Sequence, residues 1–336
     1  MKLRGAISGF GEVAARGHLP GWLTRTGVSI VAIQDPVGER RQAAMRLLKG
    51  ARVYDDLGLM LDGEAPDFVD IASPPAFHPK AIRTALEAGL HVLCEKPLCL
   101  DLAELEDLAR LADQRSRVLM CVHNWKHSPA FRVARHAIAA GRLGAVRFIS
   151  LDRLRTEPAG GAGKWRSERA SGGGILIDHG WHAFYLVPWL MGGDAPQSVS
   201  AYLAHEGGGD LDDVADLRLV FPGQRVARLH LSWRAPVRRT HTALHGDKAI
   251  LEIEGDRVIL TERSGAVEDL SVKDAPDDSY HSAWFSGVAD DFERAIAGPE
   301  RMAGLRNLDE ARIALKLIVA ARESAAIAGS PVRISD

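Results

Sequence analysis

Cysteine is scarce in this sequence of 336 residues, which contains only three. Cys94, Cys99 and Cys121 are an odd number in a long chain and lack the paired spacing of metal ligands. This scarcity excludes a small disulfide-stapled scaffold and is typical of a reducing compartment. We therefore expect buried thiols, with a disulfide between two of them as the alternative.

Long hydrophobic runs and an excess of one charge are also missing. No apolar run reaches the roughly 18 residues of a membrane-spanning helix, and no signal-peptide pattern opens the chain. The formal net charge is -2, with acids and bases spread along the sequence, so no basic stripe is available for nucleic acid or anionic lipid. These absences predict a cytoplasmic protein without nucleic-acid or membrane partners.

The composition is otherwise that of a globular protein. Hydrophobic residues make up 46% and charged residues 26% of the chain, which supports a sizeable core and argues against disorder. Because 336 residues exceed what one hydrophobic core usually spans, we expect two domains.

The first third of the sequence alternates apolar strands with amphipathic helices. Strands are predicted over 3–8, 28–34, 68–72, 91–94 and 118–122, and helices over 39–48, 79–88 and 102–114. This alternation predicts parallel strands joined by right-handed helical crossovers, in a sheet covered on both faces. The sequence thus predicts an α/β fold that begins with a doubly wound Rossmann domain over residues 1–123.

The pattern changes after residue 123. A helix over 130–140, a strand over 146–155 and a glycine-rich segment at 158–163, which we expect to be mobile, precede alternating strands between 197 and 273. Those strands predict a mostly antiparallel sheet, so residues 124–336 are predicted to form a second α/β domain. Helices over 283–297 and 308–328 close the chain, and packing of the last helix on the first domain is an open alternative.

A glycine fingerprint follows the first predicted strand. Gly9 permits a tight turn, Gly11 lets the backbone approach a pyrophosphate at the start of a helix, and Ala14 takes the third small-residue position. The second strand ends at Asp35, about 20 residues further on, where a carboxylate can accept hydrogen bonds from the adenosine ribose. This context favours a dinucleotide site over a glycine turn beside a surface aspartate.

Asp35 also bears on the choice of cofactor. A carboxylate at this position repels a 2′-phosphate, which favours NAD over NADP. Arg40 and Arg41 follow closely enough to keep NADP as the alternative.

Lys96 is the first candidate for acid–base chemistry. The segments 73–78 and 94–98 each follow a strand, and open parallel sheets bind ligands beyond the carboxyl ends of their strands. A lysine in a partly dry cleft has a lowered proton affinity that suits proton transfer. A surface salt bridge with Glu95 is the alternative.

The second candidate group lies on a helix predicted to begin near the triple glycine 172–174. Asp178 and His182 are four residues apart and share one face of a helix, so the carboxylate could orient the histidine. The alternatives are a helix-start aspartate with a buried core histidine, and a metal site that adds His179. We expect no metal, because His179 should point away from the other two and no further ligands are evident.

Four motifs occur in order along the chain: Gly9, Gly11 and Ala14; Ser73-Pro74 with His78; Glu95-Lys96-Pro97; and Asp178-x-x-x-His182. Together they resemble the Gfo/Idh/MocA oxidoreductase family, the group around glucose-fructose oxidoreductase and inositol dehydrogenase, over nearly the whole chain. The resemblance implies a Rossmann domain followed by an α/β domain whose large open sheet forms a homodimer or homotetramer interface. It also implies an NAD-dependent dehydrogenase acting on CH–OH groups of a sugar, cyclitol or related polyol.

The resemblance also implies roles for individual residues. Lys96, Asp178 and His182 would form the catalytic group, with a cis peptide bond between Lys96 and Pro97. Together with Asp35, the residues implied to hold or line the cofactor are Gly9, Phe10, Gly11, Glu12, Val13, Ser73, Pro74, His78, Glu95 and Lys96.

The chain departs from the family pattern at three positions. Tyr185 stands where an aspartate often follows the helix histidine, Lys126 where an arginine is frequent, and His179 where an apolar residue is more usual. The substrate pocket is therefore predicted to differ from that of the best-known members. The candidates for substrate contact are His123, Asn124, Trp125, Lys126, His127, Trp165, Arg166, Arg169, His179 and Tyr185.

Arg166 and Arg169 have two open interpretations. Both could clamp a carboxylate or phosphate through paired hydrogen bonds, or both could be solvated charges on a surface loop.

In the predicted oxidation, His182 or Lys96 removes the hydroxyl proton as hydride leaves the same carbon, while Asp178 orients a base or holds a neighbouring hydroxyl. Which of the two accepts the proton stays open, because coupled groups titrate as a unit. One alternative is a tightly held NAD that oxidises a sugar transiently during elimination, epimerisation or glycoside cleavage. Another is a non-catalytic NAD-binding sensor, since a fold does not guarantee activity.

Overall fold

The structure is a computed structural model of the chain. It describes residues 2–158, 165–168, 171–207, 211–274, 280–298 and 301–334, without the side chains of residues 301–303. Most of the glycine-rich segment predicted to be mobile, and the candidate Arg169, lie outside these residues. The chain divides into two compact units, Met1–Asn124 with Asp278–Arg312, and Trp125–Asp277 with Ile313–Asp336.

The first unit contains a parallel sheet. Its described strands are β1 (Leu3–Ser8), β2 (Val28–Gln34), β3 (Arg52–Tyr54), β4 (Phe68–Ile71), β5 (His91–Cys94) and β6 (Leu119–Cys121). They lie in the order β3-β2-β1-β4-β5-β6, with parallel neighbours throughout. The strand order reverses between β1 and β4, and such a switch point is where open α/β sheets bind ligands. The predicted Rossmann sheet is confirmed.

Helices connect these strands. A π-helical turn over Ala14–His18 continues as α1 (Leu19–Leu23), and α2 (Gly38–Leu47), α3 (Leu57–Glu64), α4 (His78–Glu87) and α5 (Leu102–Gln114) follow. The three helices predicted here correspond to α2, α4 and α5. The sequence pattern does not reveal α3 or β3, because β3 is a three-residue, partly exposed edge strand.

A 3-10 turn over Asn124–His127 contains the boundary between the two units, and α6 (Pro129–Ala139) follows it in the second unit. After strand β7 (Val146–Leu154) come a 3-10 turn at Trp165–Ser167, a π-helical turn over Leu176–Gly180 and α7 (Trp181–Leu190). The later described strands are β8 (Ser198–Ala204), β9 (Val214–Phe221), β10 (Arg225–Ser232), β11 (Arg239–Gly246), β12 (Ala249–Glu254), β13 (Arg257–Glu262), β14 (Val267–Asp269) and β15 (Val332–Arg333).

The strands of the second unit form one large mixed sheet in the order β14-β13-β12-β11-β7-β10-β9-β8-β15. The central strand β7 pairs parallel with β10 and antiparallel with β11, and the other described pairs are antiparallel. Along β12, buried Ala249, Leu251 and Ile253 alternate with more exposed residues, so one face of the sheet is covered. The predicted second sheet is confirmed.

Two helices close the chain, α8 (Ser282–Ala297) and α9 (Arg301–Ala326). Helix α8 belongs to the first unit, where Phe285 and Phe292 pack with Trp22 and Phe68 in the core. Helix α9 belongs to the first unit up to residue 312 and to the second beyond it. The division at residue 123 into two sequence domains stays a prediction.

The three cysteines are buried free thiols, as predicted. Within the part of the chain that the structure describes, no helix has the length and apolar character needed to cross a membrane.

Candidate functional site

The glycine loop after β1 has the geometry of a dinucleotide cradle. Gly9 has a φ of +86°, and a Cβ there would lie 2.6 Å from the Ser73 backbone nitrogen, so only glycine allows this close approach. At Gly11, no described atom lies within 4 Å of the position that a Cβ would take. The backbone at Gly11 therefore faces open space, as the approach of a pyrophosphate requires. The residues present fit a dinucleotide cofactor.

Asp35 directly follows β2 and is hydrogen-bonded to the glycine loop. It is 1% exposed, and its carboxylate accepts the Phe10 N–H at 2.7 Å and the Val37 N–H at 2.8 Å. Arg40 Nη1 lies 3.5 Å from the same carboxylate, while Arg41 donates to the backbone carbonyls of Asp35 and Pro36. Carboxylate oxygens can accept more than one hydrogen bond each, so a ribose contact remains compatible with these bonds and stays a prediction.

The segments after β4 and β5 are held together by His78. Its Nδ1 lies 2.7 Å from the Pro97 carbonyl oxygen and its Nε2 lies 2.7 Å from the Ser73 carbonyl oxygen. Burial lowers the pKa of His78. The Lys96-Pro97 peptide bond is cis, as the resemblance implied. Within the described residues, the buried Ser73 Oγ has no hydrogen-bond partner, which leaves it available to a ligand.

The other cofactor candidates differ in their exposure. Phe10 is buried, Val13 and Pro74 are partly buried, and the Glu12 side chain is 63% exposed. Tyr280 donates to Glu12 Oε2 at 3.4 Å. A contact from these side chains to a cofactor stays a prediction.

A buried histidine between two carboxylates lies beside the candidate lysine segment, and the sequence analysis missed it. His18 Nδ1 is 3.0 Å from both carboxylate oxygens of Asp70, and its Nε2 is 3.0 Å from Glu95 Oε1. Trp22 Nε1 donates to Asp70 at 2.7 Å, and the His18 ring stacks on Phe285 with centroids 4.0 Å apart. His18 is 2% exposed and Asp70 is fully buried. We call His18, Asp70 and Glu95 the imidazolium triad.

The triad is charged. Burial alone would lower the pKa of His18, but the charges and hydrogen bonds of Asp70 and Glu95 outweigh it and raise this pKa to about 10. Burial alone would raise the pKa of Glu95, but the hydrogen bond and charge of His18 lower it. Glu95 also accepts the backbone N–H of Lys96 at 3.0 Å. The triad therefore fixes the backbone at the candidate lysine.

A sequence signal for the triad exists. Asp70 interrupts the apolar strand β4, whose four residues are all buried, and a buried carboxylate needs a partner. His18 follows the glycine fingerprint in the same chain segment. The pairing itself depends on tertiary structure.

In the second unit, the triple glycine and Asp212 position the helix that carries Asp178. Gly174 has a φ of +108°, and a Cβ there would lie 2.7 Å from Asp212 Oδ1. The other Asp212 oxygen accepts the Leu176 N–H at 2.7 Å, at the start of the π-helical turn. The turn that begins there contains both Asp178 and His179.

His182 has a hydroxyl group and an indole ring as described neighbours. Its Nδ1 lies 2.9 Å from the Tyr185 hydroxyl, which also accepts the Trp125 N–H at 3.1 Å. The His182 ring stacks on Trp125, with centroids 4.7 Å apart and planes 9° apart. Tyr185 is fully buried and His182 is 9% exposed. The structure thus brings together three of the predicted site residues.

Asp178 and His179 lie next to two arginines. Arg166 Nε donates to Asp178 Oδ2 at 3.0 Å, and Arg153 Nε donates to His179 Nδ1 at 2.7 Å. His179 Nε2 lies 3.9 Å from Asp178 Oδ2. The expectation that His179 points away from Asp178 is wrong, because the π-helical turn takes more residues per turn than an α-helix and brings adjacent side chains closer in angle. The predicted pairing of Asp178 with His182 stays a prediction.

Arg153 was missed by the sequence analysis, although a signal was present. Residues 149, 151 and 153 share one face of β7, and the first two, Ile149 and Leu151, are fully buried. An arginine on a strand face that otherwise carries buried apolar residues is unusual, and it indicates a specific role for the charge.

The remaining substrate candidates are dispersed. In the first unit, His123 Nδ1 lies 2.9 Å from Glu310 Oε2, and the buried Asn124 Oδ1 has no described hydrogen-bond partner. In the second, Lys126 Nζ lies 5.9 Å from the centroid of Trp189. The 3-10 turn also contains His127, and the Trp165 ring lies under the Arg166 guanidinium at 4.4 Å. No group of His, Cys, Asp and Glu among the described residues could hold a metal ion.

The fold and the glycine loop define a nicotinamide-dinucleotide-binding oxidoreductase with a second, open-sheet unit. Residues 3–123 match the sequence model described as oxidoreductase family, NAD-binding Rossmann fold, and residues 131–252 match the GFO/IDH/MocA C-terminal domain. The chain belongs to the Gfo/Idh/MocA oxidoreductase family.

Individual relatives support this assignment. D-glucoside 3-dehydrogenase of Escherichia coli K12 is 32% identical over 200 residues, which cover 60% of this chain and 57% of that protein. D-apiose dehydrogenase of Paraburkholderia graminis is 33% identical over 143 residues, 43% of this chain and 38% of that protein. The chain thus matches about half the length of these curated relatives or less.

A solved structure with the same fold is an oxidoreductase from Agrobacterium radiobacter in complex with NAD+, L-tartaric acid and magnesium. It aligns with a TM-score of 0.86 over 99% of both chains, at 21% sequence identity. This similarity shows the fold.

Proposed function

We propose that this protein is an NAD-dependent dehydrogenase that transfers hydride between nicotinamide and a hydroxyl-bearing carbon of a sugar, cyclitol or sugar-derived substrate. The observation that carries the proposal is the glycine loop, where Gly9 packs against Ser73 and Gly11 faces open space within the segment that matches the NAD-binding family model. Two relatives named as dehydrogenases of a glucoside and of apiose support the substrate class.

We propose Lys96, Asp178 and His182 as the acid–base group. When bound, the nicotinamide ring supplies the hydride acceptor. In the tautomer whose Nδ1–H donates to the Tyr185 oxygen, Nε2 carries the lone pair that a base requires. Tyr185 thus holds the orientation of the His182 ring.

We propose NAD as the preferred cofactor. Asp35 places a buried negative charge at the end of β2, next to the glycine loop, and such a charge disfavours a 2′-phosphate. Arg40 and Arg41 are directed at Asp35 and its carbonyl group, so their described contacts stabilise this turn.

We also propose a cytoplasmic homodimer or homotetramer. The buried free thiols suit a reducing compartment. The oligomer follows from the family resemblance, which implies an interface on the large open sheet.

The test is an NADH-fluorescence screen of the purified protein against sugars, inositols, uronic acids and amino sugars, with NAD and with NADP. We expect NADH formation with one substrate class, and its loss in Lys96→Ala and His182→Ala while NAD still binds. Matched controls are Lys80→Ala and His136→Ala, which remove exposed side chains of the same types. Their turnover should equal that of the unmodified protein.

Two outcomes would contradict the proposal. Tight NAD binding without net NADH from any substrate would favour transient oxidation with return of the hydride, or a sensor. If Lys96→Ala and His182→Ala both keep full turnover, these residues are not the acid–base group.

A further inference from the structure

A partly exposed guanidinium group lies on the central strand of the large sheet, on the face that carries two buried apolar side chains. Arg153 follows Ile149 and Leu151 on one face of β7, and its backbone pairs with Leu231 on β10 and Thr240 on β11. Taking a charge out of water into such a position is costly unless the charge is paired. The contacts of Arg153 therefore show whether the protein itself pairs this charge.

The described contacts of Arg153 contain no negative charge. Its Nε donates to His179 Nδ1 at 2.7 Å, and its guanidinium carbon lies 4.1 Å from the centroid of the Trp125 ring. Within the described residues, Arg153 forms no ion pair with a carboxylate, and its two Nη groups have no hydrogen-bond partner. One edge of the planar guanidinium is therefore free to bind a further acceptor.

The surrounding residues carry an excess of positive charge. The carboxylate of Asp178 accepts one hydrogen bond from Arg166 and lies 3.9 Å from His179 Nε2. Arg153, Arg166 and Asp178 thus combine two guanidinium charges with one carboxylate. Desolvation, followed by repulsion from Arg155, lowers the pKa of Arg153, which agrees with the absence of a carboxylate from its described contacts.

We propose that Arg153, assisted by Arg166, binds a carboxylate group of the substrate, so that the preferred substrate is an acidic sugar and not a neutral one. The residual charge of these residues matches a monoanion better than a phosphate dianion. Two parallel hydrogen bonds from a guanidinium edge fit a carboxylate. This inference rests on the proposed dehydrogenase function, because it concerns the substrate of that same site.

Trp125 connects the carboxylate site to the proposed base. The indole ring contacts the Arg153 guanidinium and stacks on the ring of His182. A carboxylate bound at Arg153 would therefore be separated from His182, the group proposed to remove the hydroxyl proton, by about the width of the Trp125 indole ring. This distance suits a substrate in which both groups belong to one sugar.

The first experiment compares matched acidic and neutral sugars with NAD: D-glucuronate with D-glucose, and D-galacturonate with D-galactose. We expect a kcat/KM at least about 30-fold higher for the acidic member, in the range of a desolvated charge pair. Arg153→Gln should raise KM for that acid by at least about 30-fold with little change in kcat. Arg147→Gln, at an exposed, ion-paired position on the same strand, should change neither value.

A second measurement separates binding from turnover. Calorimetric titration of the NAD-loaded protein with D-glucuronate and D-galacturonate should show binding that Arg153→Gln abolishes and Arg153→Lys partly restores. Circular dichroism and thermal unfolding check that both variants are folded. Partial restoration by lysine would show a charge effect, which a loss of packing alone would not give.

The outcomes distinguish this inference from the proposed function. If neutral sugars are turned over as well as the acids or better, the carboxylate site is wrong. The proposed dehydrogenase function would still hold. Binding of the acids that depends on Arg153, without NADH from any substrate, would support the carboxylate site and overturn the dehydrogenase. Failure of both acids to bind would overturn the carboxylate site.

Discussion

Each unit of this protein withdraws a cation from bulk water, completely at His18 and partly at Arg153, and the two cations are compensated differently. In the first unit, the His18 imidazolium lies between the carboxylates of Asp70 and Glu95. In the second, the Arg153 guanidinium lies between a histidine nitrogen and an aromatic ring. The first arrangement gives the cation two carboxylate partners and uses both ring nitrogens, whereas the second leaves donors of the cation unused.

The two sites suggest a criterion that separates a structural charge from a charge that serves a ligand. A fully paired buried group stabilises the local fold and has nothing left for a ligand. A buried group with unused donors lowers stability and is retained where a ligand completes it, which is a common cost of a binding site. Three measurements test whether the two cations differ in this way.

The largest effect should follow the substitution Asp70→Asn. This change removes a carboxylate that accepts from both His18 and Trp22, and it leaves the imidazolium with one partner in a buried position. Removing one partner of a buried ion pair costs about 3–5 kcal/mol. We expect a loss of that order in the free energy of unfolding, measured by urea denaturation.

The control for this substitution is Asp107→Asn. Asp107 is 53% exposed and pairs with Arg110 one helical turn away, so its loss should cost no more than about 0.5 kcal/mol. Equal losses in the two variants would mean that the triad contributes nothing beyond a surface pair.

The pH dependence of stability should reveal the His18 charge. The pKa of His18 is raised from 6.5 to about 10 in the folded protein, so its stabilisation is fully present below pH 6.5 and is lost as pH rises through about 10. The free energy of unfolding of the unmodified protein should therefore converge with that of His18→Gln across this window.

The matching control is His136→Gln, which changes an exposed histidine on α6. The free energy of unfolding of His136→Gln should differ from that of the unmodified protein by the same amount throughout the window from pH 6.5 to about 10 that is set by His18. A constant difference for His18→Gln as well would show that His18 is neutral in the folded protein.

The smallest effect should follow Arg153→Met. Methionine keeps an apolar stem of similar reach and removes the undercompensated charge, and such replacements are often neutral or stabilising. We expect a free energy of unfolding within about 1 kcal/mol of the unmodified protein, together with loss of D-glucuronate binding. A loss as large as that of Asp70→Asn would place Arg153 with the structural charges.

Most of the fold could be predicted because local patterns are strong in both sheets. Strands β4 and β5 are short, mostly apolar and mostly buried segments, and β12 alternates with a period of two. The glycine fingerprint was predicted because Gly9 needs a positive φ that other residues rarely adopt. Strand β3 was missed because three partly exposed residues carry no clear period.

The candidate site could be predicted only in part. Motif residues such as Lys96 and His182 stand out by type and spacing, but the partners of a buried charge are distant in sequence. His18 and Asp70 are separated by 52 residues, and Arg153 and His179 by 26. Tyr185 was noted as a departure from the family pattern, and its contact with His182 became visible in the structure.

Most strands and helices, the glycine loop and the family could be recognised in the sequence alone, because they depend on residues that are close together along the chain. Only the tertiary structure decided which buried charges meet and which remain incompletely paired. The physical reason is that desolvation and Coulomb energy depend on distance and exposure in space. The imidazolium triad and the Arg153 site therefore became visible only once β4, β7 and the π-helical turns were in place.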